Sequence, residues 1–447
     1  MKVLHVITGL NVGGAEQQLH LLLRHLDARC EVATLTDPGP VADAIRSDGV
    51  RVHDLRMAGN RDVGVLPRLT GLIRAGRYDV VHTHLYRACV YGRIAARLAG
   101  VRTVVATEHS LGATQIEGRP LRLGTRALYR STERLGHGTL AVSATVAERL
   151  VYWGVPEARV HLAPNGIEPE RFRFDPEVRA EVRTRLRIPA GAYVVGGVGR
   201  QVPGKRFDAL IRAIAEIPDV HLLLAGDGPE RVPLLRLVHH LNLQHRVHVT
   251  DSAGADVPGL LAAMDLFVSV SAEEAFGLAV VEALAAGLPA LYTACPAVED
   301  VPAEDAPGAC RIDLGELPAA LAAEHRAGPR RLPAPAAVEY YHIARTAQRV
   351  MALYTQASER ESLRENLREG LRRRRRSAAT AIVPRPARAA APRPASAAPP
   401  AAPPAQAAAP SSRQGAVQPP APPASRQESG TVPGAAAEPT TPTPAQK

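Results

Sequence analysis

The sequence runs to 447 residues with 46% apolar content, enough to bury roughly two to four domain cores, and its net charge of +10 reflects 54 Lys and Arg against 44 Asp and Glu. No stretch approaches the roughly 18 consecutive apolar residues of a membrane span, and the opening MKVLHVITGLNVGG passes into Gly-rich polar sequence with no small-residue cleavage site, which argues against a secretory leader. The four cysteines, Cys30, Cys89, Cys295 and Cys310, are far apart and form no C-x-x-C pair, so neither a disulfide framework nor a zinc site is suggested and a reducing, cytoplasmic setting is expected.

From the N-terminus, short β-branched runs alternate with helical patterns. KVLHVIT (2–8), CEVATL (30–35), YDVVHTH (78–84), TVVATEH (103–109) and GTLAVS (138–143) read as buried parallel strands. Pro and Asn-Gly punctuate LAPNGIEPE (162–170), and the pattern then restarts with AYVVGGVGR (192–200), VHLLLAGDG (220–228), RVHVTD (246–251), DLFVSVS (265–271) and LPALYT (288–293). Two such halves predict an α/β fold of two doubly wound, Rossmann-like domains, over 1–168 and 169–335, facing each other across a cleft. In sheets of this kind ligands lie outside the carboxyl ends of the strands.

A segment of helical periodicity, AAVEYYHIARTAQRVMALYTQ, opens the stretch 336–371. From Arg372 the composition shifts to Ala, Pro, Arg, Ser and Gln with no aromatic residue, so 372–447 cannot offset its ordering entropy and is expected to be a disordered tail. Eleven basic and two acidic residues lie there, giving the tail +9 and leaving residues 1–371 about +1. The body is therefore nearly neutral, and no specific nucleic-acid binding is expected.

The first strand runs into GLNVGGAEQQLHLLLRHL, where Gly13 and Gly14 sit at a strand-to-helix turn and would let a phosphate approach the backbone. The spacing Gly9, Gly13, Gly14 is not G-x-G-x-x-G, although Asp37 is placed as the ribose-binding acid of a nicotinamide domain would be. A structural tight turn remains open. Arg200 and Lys205 flank a Pro-Gly turn at a strand end, where they either converge on one point above the sheet or are simply solvated.

The stretch EAFGLAVVE places two carboxylates eight positions apart. A helix is predicted from about Phe276 to Ala286 with Gly287 as its terminator, so Glu274 falls in the preceding loop and Glu282 within the helix. Glu282 lies among apolar neighbours and needs hydrogen-bond donors, which sugar hydroxyls supply; a dipole-stabilised acid plus a solvated one is the plainer alternative. His82 and His84 are read as pointing to opposite faces of their strand, which disfavours a metal site. His239 and His240 read as a solvated helix end and Trp153 as a packing residue. Arg119, Arg122, Arg126, Arg130 and Arg134 recur at intervals of three and four beside leucines, and on a single helix they would form a basic stripe for an anionic membrane or acceptor.

HVITGLNVGGAE, DVVHTHLYRACVYGRIAARLAGV, VVATEHS, LAPNGIEPERF, GVGRQVPGKRFDALIRA, LLLAGDGPER and EEAFGLAVVEALAAGLPAL, in this order, resemble the family 4 glycosyltransferases of GT-B fold over roughly residues 1–355. The resemblance implies retaining, metal-independent transfer of a sugar from a nucleotide diphosphate sugar, with no cofactor, the nucleotide sugar being a substrate. It implies that Glu282 holds the ribose hydroxyls, Glu274 the donor sugar, Arg200 and Lys205 the diphosphate, and Gly14, beside Gly13, the phosphate region from the opposite domain. Phe276 and Gly277 belong to the same donor-binding motif, His109 would contact the transferred sugar, and the helical segment 336–371 would return to the N-terminal domain. The absence of an Asp-x-Asp motif agrees with metal independence. Two departures stand out: Ala275 replaces the usual Gly, and TACPAVED replaces a Gly-Gly turn. A polysaccharide, lipid-linked or small-molecule acceptor is expected, a lipid-linked one placing the chain at the inner face of an anionic membrane. A sugar-nucleotide epimerase and a noncatalytic sugar-nucleotide binding protein remain the alternatives.

Overall fold

The computed structural model describes residues 1–59, 62–113, 115–117, 119–250 and 256–380. Seven parallel strands form the first sheet: β1 (Lys2–Ile7), β2 (Arg29–Thr34), β3 (Arg51–Asp54), β4 (Val80–His84), β5 (Thr103–Glu108), β6 (Gly138–Ala141) and β7 (Val160–Leu162), in spatial order β3-β2-β1-β4-β5-β6-β7. Six form the second: β8 (Tyr193–Val198), β9 (Val220–Ala225), β10 (Val247–Thr250), β11 (Leu266–Ser269), β12 (Ala290–Tyr292) and β13 (Ala309–Arg311), in order β10-β9-β8-β11-β12-β13. Each sheet reverses direction beside its first strand, between β1 and β4 and between β8 and β11. That is the switch point at which doubly wound sheets open a ligand crevice.

The strands are parallel because both faces are covered. All five residues of β4 and all six of β5 are buried, so these segments read as continuous runs rather than alternating ones. Helices supply the cover: α1 (Gly14–His25), α2 (Leu123–Glu133), α3 (Ala144–Tyr152), α4 (Phe207–Ala215), α5 (Leu278–Ala285) and α6 (Ile343–Thr380) are those that bear on the site and its surroundings. In α4, Phe207, Leu210, Ile211 and Ile214 are buried at helical spacing against the second sheet.

Three strands of the two parallel sheets, β3, β7 and β13, were not expected from the sequence, nor was a short antiparallel hairpin of Gln115–Ile116 and Arg119–Pro120. β3 and β7 are edge strands of three or four residues with half-exposed faces, so they lack the apolar run that marks the others. The helix α6 departs from expectation in the other direction. Its start returns to the first sheet, where Ala347, Val350, Leu353 and Tyr354 pack with Val3, Val80, Val105 and Leu140, and it continues to Thr380, past the tail boundary expected at residue 371. Arg and Ala are strong helix formers, which carries the helix through that run. The remainder of the expected disordered tail, 381–447, lies outside the described residues.

Candidate functional site

The carboxyl ends of β1, β8 and β11 carry the loops that hold most of the sequence-expected residues. At β1, Gly13 caps α1 in extended backbone, and Glu16 follows in the helix's first turn. A Cβ built on Gly14 would lie 3.7 Å from Leu278 Cδ1, so the first turns of α1 and α5 face each other across the cleft. Two helix N-termini thus meet at one place, an arrangement suited to an anion, with the Glu16 carboxylate already bonded to its own backbone N–H at α1.

Gly277 starts α5 in left-handed backbone at φ +99°, and a Cβ there would meet Cys295 Sγ at 2.5 Å. The helix begins two residues later than expected because Phe276 is drawn into the core, edge-on to Tyr341 at 5.0 Å and 3% exposed. Phe276 therefore packs the loop. Its carbonyl accepts from Ala297 N at 2.8 Å, which ties the donor-motif loop to the segment after β12. The Ala275 methyl leans on the hydrophobic core, and its carbonyl accepts from Ser143 Oγ at 2.6 Å.

At the end of β8, Lys205 closes a short turn, and its Nζ donates to Glu274 Oε1. Arg200 is exposed, and its charge is felt by Glu16 on the opposite side, where burial raises the Glu16 carboxyl above its ordinary range and the neighbouring Glu117 adds to that rise. The loop carrying both cations is braced from beneath: Gln201 is fully buried and its side-chain amide donates to Gly226 O at 2.6 Å. A Cβ on Gly226 would sit 2.0 Å from Gly199 O, so the close approach of the two loops requires glycine there. Glu282 lies on α5, half-buried, and burial pushes its carboxyl up to about 7 with only the distant Arg171 opposing. Its carboxylate has no hydrogen-bond partner among the described residues.

Two readings of the sequence are corrected. Residues i and i+2 of a strand share a face, and the rings of His82 and His84 lie side by side with centroids 4.1 Å apart, joined by His5 from β1. These three could offer metal-ligand atoms within 4.8 Å of one another. Both nitrogens of His82 and of His84 are already hydrogen-bonded, so a cation would have to break a bond at each. The five arginines, secondly, do not share a helix: Arg119 lies in a two-stranded hairpin, Arg122 caps α2 and Arg134 ends it. Arg126 is spent on the carbonyls of Trp153 and Tyr152 at 3.0 and 2.7 Å. Trp153 is a packing residue, edge-on to Tyr129, and Asp37 accepts from Gly39 N in the turn after β2.

A family model described as Glycosyltransferase Family 4 matches residues 12–171, and one described as Glycosyl transferases group 1 matches residues 178–311. Over 293 residues the chain is 32% identical to a GDP-mannose-dependent alpha-mannosyltransferase of Mycobacterium tuberculosis, an alignment covering 63% of this chain and 75% of that one. The chain belongs to the family 4 glycosyltransferases. It is also 29% identical over 275 residues to a UDP-Gal:alpha-D-GlcNAc-diphosphoundecaprenol alpha-1,3-galactosyltransferase of Escherichia coli, covering 58% of this chain and 69% of that one. Among solved structures, Anabaena HepE in complex with UDP and glucose shares the fold with a TM-score of 0.66 at 23% identity, over 81% of this chain and 99% of that one. The fold is accordingly GT-B, and the enzyme transfers glycosyl groups.

In this glycosyltransferase the two halves are tied by residues that sequence reasoning did not single out. Glu273, next to Glu274, pairs with Arg149 Nη2 of α3 at 2.8 Å and accepts from Ala113 N. Asp300 accepts from Ala144 N at 2.7 Å. The only sequence signal for Glu273 was its adjacency to the expected Glu274, and none distinguished it from a solvated neighbour. Glu16 and Gln201 sat inside quoted motifs, but the burial of both, the Arg200 charge acting on Glu16 across the cleft and the Gln201 bond to Gly226 are properties of the tertiary structure.

Proposed function

We propose that this glycosyltransferase takes its sugar from a nucleoside diphosphate hexose, retains the anomeric configuration and needs no divalent cation. The donor's diphosphate would lie between the N-termini of α1 and α5, with Lys205 and Arg200 as its cations. The observation that carries the reading is the Lys205–Glu274 pair, together with the unpartnered carboxylate of Glu282 eight residues on. The acid neutralises the cation, and donor binding would redistribute that cation to the diphosphate while Glu274 turns to the sugar hydroxyls and Glu282 to the ribose. Bond cleavage develops an oxocarbenium-like sugar and adds charge to the leaving diphosphate, which fixed cations and helix N-termini stabilise. The substrates of relatives, GDP-mannose in one and UDP-galactose in another, support the donor class. A thermal-shift panel of UDP, GDP, ADP and their sugar conjugates, on wild type and Glu282→Ala with and without EDTA, tests this: a selective, EDTA-insensitive rise lost in the variant supports it. A folded sample that responds to no nucleotide refutes it.

A peripheral membrane placement accompanies this reading, for an acceptor on a lipid carrier. The relative from Escherichia coli, which acts on a diphosphoundecaprenol-linked sugar, supports it. Leu123, Leu128 and Tyr152 are 86%, 46% and 77% exposed around the exposed Arg122 and Arg130. On α6, Leu363, Leu367 and Leu371 follow at intervals of four, each about 60% exposed, ahead of five consecutive arginines. Apolar side chains beside arginines fit an anionic interface. No helix among the described residues is long and apolar enough to cross a membrane. Flotation with anionic vesicles should recover the full chain at low salt, and replacing Leu363, Leu367 and Leu371 by Ser should reduce recovery; equal recovery with neutral vesicles refutes the charge component.

A further inference from the structure

Four histidines meet beneath the carboxyl end of the first sheet, and the family resemblance gives a role, contact with the transferred sugar, to only one of them, His109. His5 and His82 are register partners on β1 and β4, and His84 follows on the same face. All three are buried to 1% exposure or less. His5 Nδ1 lies 3.0 Å from His84 Nε2, and His84 Nδ1 lies 3.1 Å from His109 Nε2, so three rings form one hydrogen-bonded chain leading to the residue expected at the transferred sugar. His82 stands beside this chain with its nitrogens taken by Tyr354 Oη at 2.5 Å and Thr107 Oγ1 at 2.7 Å. At the two ends, His5 Nε2 and His109 Nδ1 are buried without a partner.

Burial depresses the basicity of every member, to about 3 for His5, to about 4 for His109 and well below the ordinary range for His84, so the rings are neutral at physiological pH. A neutral imidazole carries one N–H and one lone pair. His84, bonded on both sides, must donate one way and accept from the other, which leaves two arrangements for the whole chain. In the first, His5 Nδ1–H donates to His84 Nε2, His84 Nδ1–H donates to His109 Nε2, and the proton of His109 sits on Nδ1. In the second every bond reverses and the open N–H moves to His5 Nε2, so each arrangement leaves one terminal N–H and one terminal lone pair without a protein partner.

The first arrangement is the favoured one on two grounds. It puts the open N–H on His109, which borders a cavity able to hold an accepting water, whereas the reverse puts it on His5, which does not border that cavity; and it points the positive end of the chain toward the carboxyl end of the sheet rather than back into the core. The adjoining cavity, about 20 Å³ and bordered by His84, His109, Thr107 and Asn165, has room for one water and none for a solvent network that would scramble the order. We infer that His5 and His84 are positioning residues that lock His109 as its Nδ1–H tautomer, so that His109 offers the transferred sugar a hydrogen-bond donor and selects for an acceptor oxygen there. The sugar contact rests on the functional reading above; the tautomer does not.

Long-range proton–nitrogen correlation spectra of the ¹⁵N-labelled full chain, with His109 assigned by its loss in His109→Ala, read the tautomer directly. Wild type should show His109 protonated at Nδ1, and His84→Phe should shift it toward Nε2 while lowering kcat by about tenfold or more with the donor KM within about threefold. His84→Gln, whose amide can accept from His5 and donate to His109, should restore the pattern and most of kcat. A wild-type His109 protonated at Nε2 overturns the inference, and that spectrum needs no variant to fold. So does a natively melting His84→Phe with unchanged spectrum and kcat. Absence of turnover with every nucleotide sugar would sink the functional reading while leaving the spectral result to decide the tautomer.

Discussion

Glu274 Oε1 accepts a hydrogen bond from Lys205 Nζ, so the cation proposed for the leaving diphosphate and the carboxylate proposed for the sugar form an ion pair with each other. A unit charge 4 Å from the diphosphate at an effective dielectric of about 20 is worth roughly 4 kcal/mol before desolvation. Taking half of that, Lys205→Met should lower kcat about thirtyfold. Steady-state kinetics on the variant check this, and an unchanged kcat with only KM raised would reassign Lys205 to ground-state binding.

Glu282 should make stability depend on pH in a defined window. Burial lifts its folded carboxyl to about 7, above the range of an unfolded glutamate, so between these values the folded state binds a proton that the unfolded state does not. Stability from this group is thus complete at about pH 4 and is lost as pH rises to about 7. Glu282→Gln should melt like wild type at the acid end and above it at pH 8. Glu108, also held at about 7 by burial, contributes with the same sign in both proteins, so the difference between their melting curves isolates Glu282. The same variant should lose the nucleotide-induced rise in Tm.

How much of this was legible depended on range. Continuous apolar runs disclosed ten of the strands, because parallel strands buried on both faces carry their signal locally. The strand-end positions of Arg200, Lys205, Glu274 and Gly14 followed from that. What the sequence withheld was partnership: that Lys205 pairs with Glu274, sixty-nine positions away, or that Gln201 braces Gly226, has no local signature. The arginine spacing from Arg119 to Arg134 looked continuous because periodicity alone cannot see the hairpin turn before α2. His84 was misplaced by a faulty assignment of strand faces, and its link to His109 required the neighbouring strand.

Gly277→Ala tests whether the backbone at the start of α5 is held for function. The substitution forces a side chain into left-handed backbone at φ +99° and drives its Cβ to 2.5 Å from Cys295 Sγ. A cost of about 1–3 kcal/mol follows from such strain, together with weaker nucleotide binding as the first turn of α5 shifts. Adding Cys295→Ala removes the overlap and leaves the dihedral strain, so the double variant should recover part of the Tm and not all of it. Full recovery would assign the whole effect to the overlap.

Glu273 and Arg149 should govern how readily the halves close on a ligand. Their 2.8 Å ion pair joins the β11 loop to α3, and both side chains are about one-fifth exposed, so solvent screens the pair and its worth is about 1 kcal/mol or less. That is small against global stability but comparable to the difference between open and closed populations of a mobile cleft. Arg149→Ala should therefore leave Tm within about 2 °C, raise the donor KM about two- to fivefold, and increase the radius of gyration of the ligand-free enzyme in solution scattering. The charge reversal Arg149→Glu places a second carboxylate beside Glu273 and should enlarge both changes, whereas combining it with Glu273→Arg should bring them back toward wild type. If the swapped pair scatters and binds like the single reversal, the contact between these two residues is incidental, and closure must rest instead on the Asp300 and Ser143 hydrogen bonds to the same region.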